Sequence, residues 1–377
     1  MDLDRLLEAA AARYPDHPRE WPSVPVCTRE AWLALLAEEH AHAPGMLYSS
    51  SGSTGSGRQL LYPSSVRDGA TKRAERFLEL APLQSGDLVA VLFGFGMFPP
   101  AHFYCDALAN LGCQISPLGS GRNTRSDLTC EWLAQAHPHC LIAMPTYLLR
   151  LAHLLQRAGT LGSAVQKLQC LITGGEILHP SFREKLLRDF GVPVYDHYGM
   201  LEAPMIGGEC SYGNMHVSSE YYCEVLSGNS IRSSGPGILI LSSLNAWGRL
   251  PMLRVFTGDE VELRNQPCAC GYSSSLRIKG RVDNLRKVHG ILIDLDFIAK
   301  RIRTEVPEIS EYYIESMFDD NSREIVVLHV QSDAPTEILH SALAPIFPVK
   351  VSIQKAREIV LPVGKTGKPQ RYVDSRV

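Results

Sequence analysis

The sequence predicts an α/β protein: a large N-terminal domain with a parallel sheet between helices plus an antiparallel β section, followed by a small C-terminal α+β domain. Three observations carry that prediction. From about residue 67, segments with helical spacing alternate with short, continuously apolar runs. After residue 205 the runs shorten and turn residues separate them. From about residue 284 a compact order of helix, strand, turn, strand, helix and strand begins.

The alternation runs as follows. "ATKRAERFLEL" has the 3.6-residue spacing of a helix, and "DLVAVLFGF" is a buried strand. "AHFYCDALANL" is helical and "CQISPLG" is a short strand. A helix over 125–136, strand "CLIAMP", a helix over 146–158, strand "LQCLITGG", a helix over 180–190 and strand "VPVYDHYG" continue the rhythm. Uniformly apolar strands between helices imply a sheet covered on both faces, which is the signature of parallel pairing. In such sheets ligands bind beyond the carboxyl ends of the strands. "GFGMFPP", "PTYLL", "TGGEIL" and "DHYGMLE" all fall there.

The antiparallel section is predicted from "SEYYCEVL", "GILILSSL" and "LRVFTGDEVEL". The last unit is predicted as a helix over 294–305, strand 310–317, turn "DDNS", strand 323–331, helix 335–345 and strand 349–354. That order suits a small α+β sandwich.

Composition narrows the function classes. A chain of 377 residues that is 45% hydrophobic and 20% charged is globular and long enough for two domains. With 37 basic and 40 acidic residues, a net charge of −3 offers no footprint for nucleic acid or an anionic membrane. The N-terminus "MDLDRLLEAAAARYPDHP" carries acids where a signal peptide needs a basic flank, and no apolar run nears the roughly 18 residues of a membrane span. A cytoplasmic protein is therefore expected. Its ten cysteines are then thiols or metal ligands rather than disulfides. Cys105, Cys113, Cys140 and Cys170 sit in apolar runs and read as small buried hydrophobes.

The stretch "YSSSGSTGSGRQLLYPSS" is too rich in glycine and hydroxyls for helix or strand. Its amides and hydroxyls suit phosphate, although a linker has the same composition. Three acids stand at rim positions. Glu176 in "TGGEIL" reads either as a first-turn helix residue or as a ligand contact. Glu202 in "DHYGMLE" is placed to hold magnesium on phosphates. Asp259 in "TGDEVEL" is placed to accept from ribose hydroxyls, or is simply a turn acid. "GKTGKPQR" near the end carries two lysines among glycines, which elsewhere would be a solubility device.

The ordered set "SSGSTG", "TGGE", "YGMLE", "TGD", "GRVDNLRKVHG" and "GKTGKPQR" resembles the adenylate-forming superfamily of acyl and aryl CoA ligases from about residue 48 onward. "YGMLEA", "GECSYGNMHV" with "CACG", and "GKPQRYVD" are similar to the phenylacetate-CoA ligase branch. The resemblance implies ATP-dependent conversion of an aromatic carboxylic acid to an acyl-adenylate, then transfer to CoA. Short relatives imply an amine or carrier protein as alternative acceptor. It implies roles by position. Ser50, Ser51, Gly52, Ser53, Thr54 and Gly55 match the phosphate loop. Gly174, Gly175, Glu176, Asp196, His197, Tyr198 and Gly199 match the adenine and α-phosphate segments. Glu202 matches the magnesium-binding acid, Asp259 the ribose acceptor and Arg281 a contact near that ribose. Asp283 matches a hinge dividing domains 1–282 and 283–377, and Lys368, ahead of Arg371, matches the catalytic lysine. A non-catalytic nucleotide-binding relative would be expected to lack Lys368 or the phosphate loop, and both are present. A homodimer is left open.

Cys210 and His216, with Cys268 and Cys270 in a glycine-ended turn, make a three-thiolate, one-imidazole set. That set suits a closed, structural zinc site, although the spacing departs from C-x₂-C fingers and reduced cysteines are the alternative. Members of the branch carry a similar cluster. Cys223 lies in a strand-like alternation and is expected to pack. The acyl pocket is expected from Phe95, Gly96, Phe98, His102 and Tyr147, with Phe103 and Pro145 nearby, the alternative being that these residues are core. Met97, Phe98, Pro99 and Pro100 stand where the family's stretch is rich in glycine.

Overall fold

The computed structural model describes residues 3–13, 21–40, 43–49, 59–121, 123–248, 250–281, 285–288, 291–318, 324–347, 349–362 and 370–375. The described chain forms two compact units that divide between Lys279 and Gly280.

The first unit opens with helices α1 (Leu3–Arg13) and α2 (Arg29–Glu39) and the hairpin β1 (Gly45–Ser49) and β2 (Gln59–Pro63). There follow α3 (Ser64–Leu78), β3 (Leu88–Val91), α4 (Pro100–Asn110), β4 (Gln114–Ser116), α5 (Ser126–Ala136), β5 (Cys140–Ala143), α6 (Pro145–Arg157), α7 (Leu161–Ala164), β6 (Cys170–Gly174), α8 (Pro180–Phe190) and β7 (Val194–Met200). These match the predicted alternation nearly element for element. The reason is visible in α3, where Val66, Ala70, Ala74 and Phe77 recur on one face and are all buried. Every residue of β5 and β6 is buried, as two-sided cover requires.

The antiparallel part is β8 (Ala203–Glu209), β9 (Met215–Val217), β10 (Tyr222–Ser227), β11 (Ser230–Arg232), β12 (Gly235–Trp247), β13 (Leu250–Arg264) and β14 (Ser275–Arg281). It is continuous with the parallel strands. One 12-stranded sheet runs β11-β10-β12-β13-β14-β9-β8-β7-β6-β5-β3-β4, parallel from β7 to β4 and changing sense at the β7–β8 hairpin. The sequence reading separated these as two sections because the strand pattern changes there. The backbone ladder does not break. Cys140 and Cys170 are fully buried as expected, whereas Cys105, in the middle of α4, and Cys113, just before β4, are only half-buried.

The second unit holds β15 (Leu285–Val288) paired with β16 (Ile291–Asp294), then α9 (Leu295–Glu305), β17 (Glu311–Phe318), β18 (Glu324–Gln331), α10 (Thr336–Leu343), β19 (Val351–Ala356) and β20 (Tyr372–Asp374). Its four-stranded sheet has the order β19-β18-β17-β20. Ile298, Ile302, Leu339 and Leu343 of the helices share a core with Ile314, Val326, Leu328 and Val330 of the strands. This is the predicted α+β sandwich, with the tail strand β20 added in parallel to β17.

Candidate active site

Chain order within the parallel sheet reverses at β3, which lies between β4 on one side and β5 on the other. Loops leaving the carboxyl ends of β3 and β5 therefore run to opposite sides and open a crevice between them, the usual ligand position in an open α/β sheet. The loop after β3 supplies Phe95, Gly96, Met97 and Phe98, and Pro100 starts α4 at a position where a missing N–H costs nothing. His102 Nε2 meets Gly96 O at 3.2 Å, and its ring packs edge-on against Phe95 at 5.6 Å and tilted against Tyr48 at 5.7 Å. Phe98 lies 6.3 Å from Phe93, and Phe103 is buried beneath, 6.1 Å from Tyr48. Gly175 holds φ +76, and a methyl group there would reach Phe93, Phe98 and Met144 at 3.5–3.9 Å. Of the predicted pocket residues, Phe95, Gly96 and His102 are thus brought together, and Phe98 lies beside Gly175. Tyr147 turns toward Ser126, 3.4 Å away, and toward Gly121.

Glu176 lies in the loop before α8, outside that helix. Its Oε2 accepts from Thr146 N at 3.3 Å and Thr146 Oγ1 at 2.7 Å, so it caps the start of α6 and ties the loops after β5 and β6 together. Asp196 and His197 point inward. Thr173 Oγ1 donates to Asp196 at 2.7 Å, and the Asp196 amide donates to Glu209, which Arg183 holds with two bonds of 2.7 Å. Burial pushes the Asp196 carboxyl up to about 7. His197 sits between Phe77 and Tyr104, bonds the Tyr104 hydroxyl at 3.0 Å, and is held by burial at about 3, so it is neutral. Both side chains are buried, and both residues are paired into the sheet.

Tyr198 and Asp259 meet. The phenol donates to Asp259 Oδ2 across 61 residues of sequence, and both are buried. A bulge makes the meeting possible: between Ile238 and Ile240 of β12, β13 advances from Glu260 to Phe256, so Thr257, Gly258 and Asp259 leave the regular register. Gly258 takes φ +80 there, which favours glycine. Thr257 Oγ1 then accepts from the Asp259 amide at 3.0 Å and donates to Leu239 O at 2.9 Å, locking the turn.

Glu202, at the β7–β8 turn, is fully buried, and both carboxylate oxygens accept from Arg29 of α2, at 2.6 and 2.8 Å. Sequence reasoning missed Arg29 entirely. The available signal was Thr28 as N-cap, its Oγ1 accepting from Ala31 N at 3.2 Å, which announces a helix beginning at Arg29. A carboxylate already committed to a guanidinium does not fit the magnesium role the resemblance implies. Arg281 closes β14. Arg371 bonds Glu311 at 2.5 Å and Tyr312 O at 2.9 Å, anchoring the end of the tail motif to β17. Ser50, Ser51, Gly52, Ser53, Thr54, Gly55, Asp283 and Lys368 lie outside the described residues.

The cysteine cluster assembles in the β section. The ligand atoms of Cys210, His216, Cys268 and Cys270 all lie within 4.8 Å of one another. Cys210 and Cys268 Sγ are 3.9 Å apart, close to the roughly 3.8 Å that tetrahedral geometry with ~2.3 Å Zn–S bonds requires. His216 Nδ1 lies 2.9 Å from Ser274 O, which leaves Nε2 facing Cys270 at 3.0 Å, and Tyr272 stacks on the ring. A hydrogen bond from the Cys270 amide holds the Cys268 thiol below the usual thiol range, which favours its thiolate. The donor set, spacing and tautomer fit zinc. Cys223 stands on β10, packed against the core, and is not part of the cluster.

Phenylacetate-coenzyme A ligase of Pseudomonas putida is 25% identical to this chain over 308 residues, spanning 78% of the chain and 67% of that protein. The solved structure of 2-hydroxyisobutyryl-CoA ligase in the postadenylation state, in complex with R3-HIB-AMP, matches with a TM-score of 0.78 at 19% identity, covering 99% of this chain and 88% of that one. Anthranilate CoA ligase AuaEII in complex with anthranoyl-AMP matches with a TM-score of 0.59 at 19% identity, covering 86% and 65%. No family model matches the chain. The sequence relatives and the shared fold agree with the resemblance drawn from the motifs.

Proposed function

We propose that this protein activates an aromatic carboxylic acid with ATP and transfers the acyl group to CoA. The carboxylate oxygen forms a bond to the α-phosphorus, the bond from that phosphorus to the β-phosphate bridge breaks, and pyrophosphate leaves. The CoA sulfur then bonds the acyl carbon as the acyl–phosphate C–O bond breaks, the thiol proton passes to water and AMP departs. One observation supports this reading above the others: the aromatic side chains Phe95, Phe98 and His102 follow β3, where the sheet's chain order reverses, the position of ligands in open α/β sheets. On the same reading the buried Tyr198–Asp259 pair addresses the nucleotide ribose. The likeness in sequence to phenylacetate-coenzyme A ligase, together with the Phe95, Phe98 and His102 rings, supports an aromatic acid.

A panel of aryl and arylacetic acids in a pyrophosphate-exchange assay tests the first step, and product mass with and without CoA tests the second. At least one aromatic acid should drive exchange, and CoA should appear in the product. A panel on which no acid drives exchange while ATP binds would defeat the reading.

Zinc on Cys210, His216, Cys268 and Cys270 belongs to the same proposal, as a structural ion. Four protein ligands leave no open position for catalysis. Purified protein should hold about one zinc per chain, and a chelator should lower its unfolding temperature. Less than about half an equivalent, with no effect of chelation, would instead leave four reduced side chains.

A further inference from the structure

We infer that Arg29 is a positioning residue that occupies the cation place of Glu202 and keeps divalent metal off this carboxylate. The inference rests on the proposed reading of this rim as the nucleotide site. It departs from the role that the motif "YGMLE" implies for Glu202.

The geometry is a paired fork. Arg29 Nε donates to Oε1 at 2.6 Å and Nη2 to Oε2 at 2.8 Å, and the carboxylate has no solvent exposure. This is the planar match of guanidinium to carboxylate that binds most firmly. A divalent ion on either oxygen would lie within a few ångströms of the guanidinium, and in a buried place that repulsion is weakly screened.

Glu202 has little freedom to turn elsewhere. Its carbonyl accepts from Trp247 Nε1 at 2.6 Å, and the preceding carbonyl of Leu201 accepts from the Tyr62 hydroxyl. The Trp247 and Tyr62 rings pack edge to face, 4.9 Å apart. Arg29 is equally constrained. Trp32 and Leu36, on the same face of α2, are fully buried. The residue before the cap is tied to β13 by Cys27 N to Arg254 O and Phe256 N to Cys27 O, both 2.9 Å. The helix that carries the guanidinium is therefore fastened to the strand that carries Asp259.

The test uses full-length protein and Mn²⁺ as an EPR-visible probe, without acid substrate, comparing wild type, Glu202→Gln, Arg29→Met and the double variant. Wild type and Glu202→Gln should bind Mn²⁺ alike, within about twofold, with and without ATP. Arg29→Met should gain a site at least about tenfold tighter than wild type, and the double variant should lose it. A Mn²⁺ site in wild type that weakens tenfold or more in Glu202→Gln overturns the inference. So does a folded Arg29→Met that gains none. If Arg29→Met does not fold, the wild-type and Glu202→Gln pair still decides. Because Mn²⁺ binding needs no turnover, a failed exchange assay would defeat the proposed reaction while leaving this measurement interpretable.

Discussion

Replacing Lys368 with alanine should lower carboxylate-dependent pyrophosphate exchange on the order of 10²–10³-fold while ATP binding persists. The proposed reaction brings a carboxylate against a phosphate, so two anions must approach while charge develops on the α-phosphoryl oxygens. A cation aimed at that charge acts chiefly in the transition state, and its loss is felt in the rate more than in binding. Lys368 is assigned from "GKTGKPQR", in which Lys365 is the competing choice. Lys365→Ala should keep exchange near the wild-type rate. Exchange that survives Lys368→Ala unchanged would break the assignment, and loss in the Lys365 variant instead would transfer it. The structure contributes the anchor: three residues beyond Lys368, Arg371 is bonded to Glu311 and Tyr312 O, and its guanidinium lies 4.7 Å from the centre of the Tyr312 ring.

Arg254→Met should be the most damaging single change to stability in the first unit, by about 3–5 kcal/mol. Arg254 is 2% exposed and forks onto Glu224 with bonds of 3.0 and 2.8 Å. Its Nη1 also donates to Pro22 O at 3.2 Å and Val24 O at 2.8 Å, and Trp21 lies under the guanidinium at 4.8 Å. The side chain therefore fastens the segment before α2 to the antiparallel strands. Removing it leaves the Glu224 carboxylate buried without its guanidinium, still accepting from the Trp21 indole at 3.1 Å. The double variant Arg254→Met/Glu224→Met should recover part of the loss, since no charge is then stranded. Denaturant midpoints for the three proteins test this. A single-variant loss under about 1 kcal/mol would mean the pair is not a fastener.

The readings of the candidate site rest on local chemistry. "TGD" announces a turn acid because only certain residues tolerate that backbone, and Gly258 takes φ +80 there. That Cys210, His216, Cys268 and Cys270 come together was legible by kind even though their spacing matched no standard finger. Three soft thiolates and an imidazole have few other uses together. Other contacts were not visible in the sequence because the deciding partner is remote. Glu176 was a rim acid until Thr146, 30 residues away, showed it capping α6. Asp196 and His197 sit in a motif, but Thr173 and Tyr104 draw them inward.

The sequence by itself determined the order of helices and strands, the edge of the sheet where ligands belong, and the residue types available there. These follow from apolar periodicity and from backbone preferences, which act over a few residues. Only the tertiary structure decided that the two β sections form one sheet, that a bulge joins Asp259 to Tyr198, and that Arg29 holds Glu202 from 173 positions away. Pairings of that kind arise from burial: a charged or polar group removed from water must find a partner, and which one it finds depends on how distant segments pack.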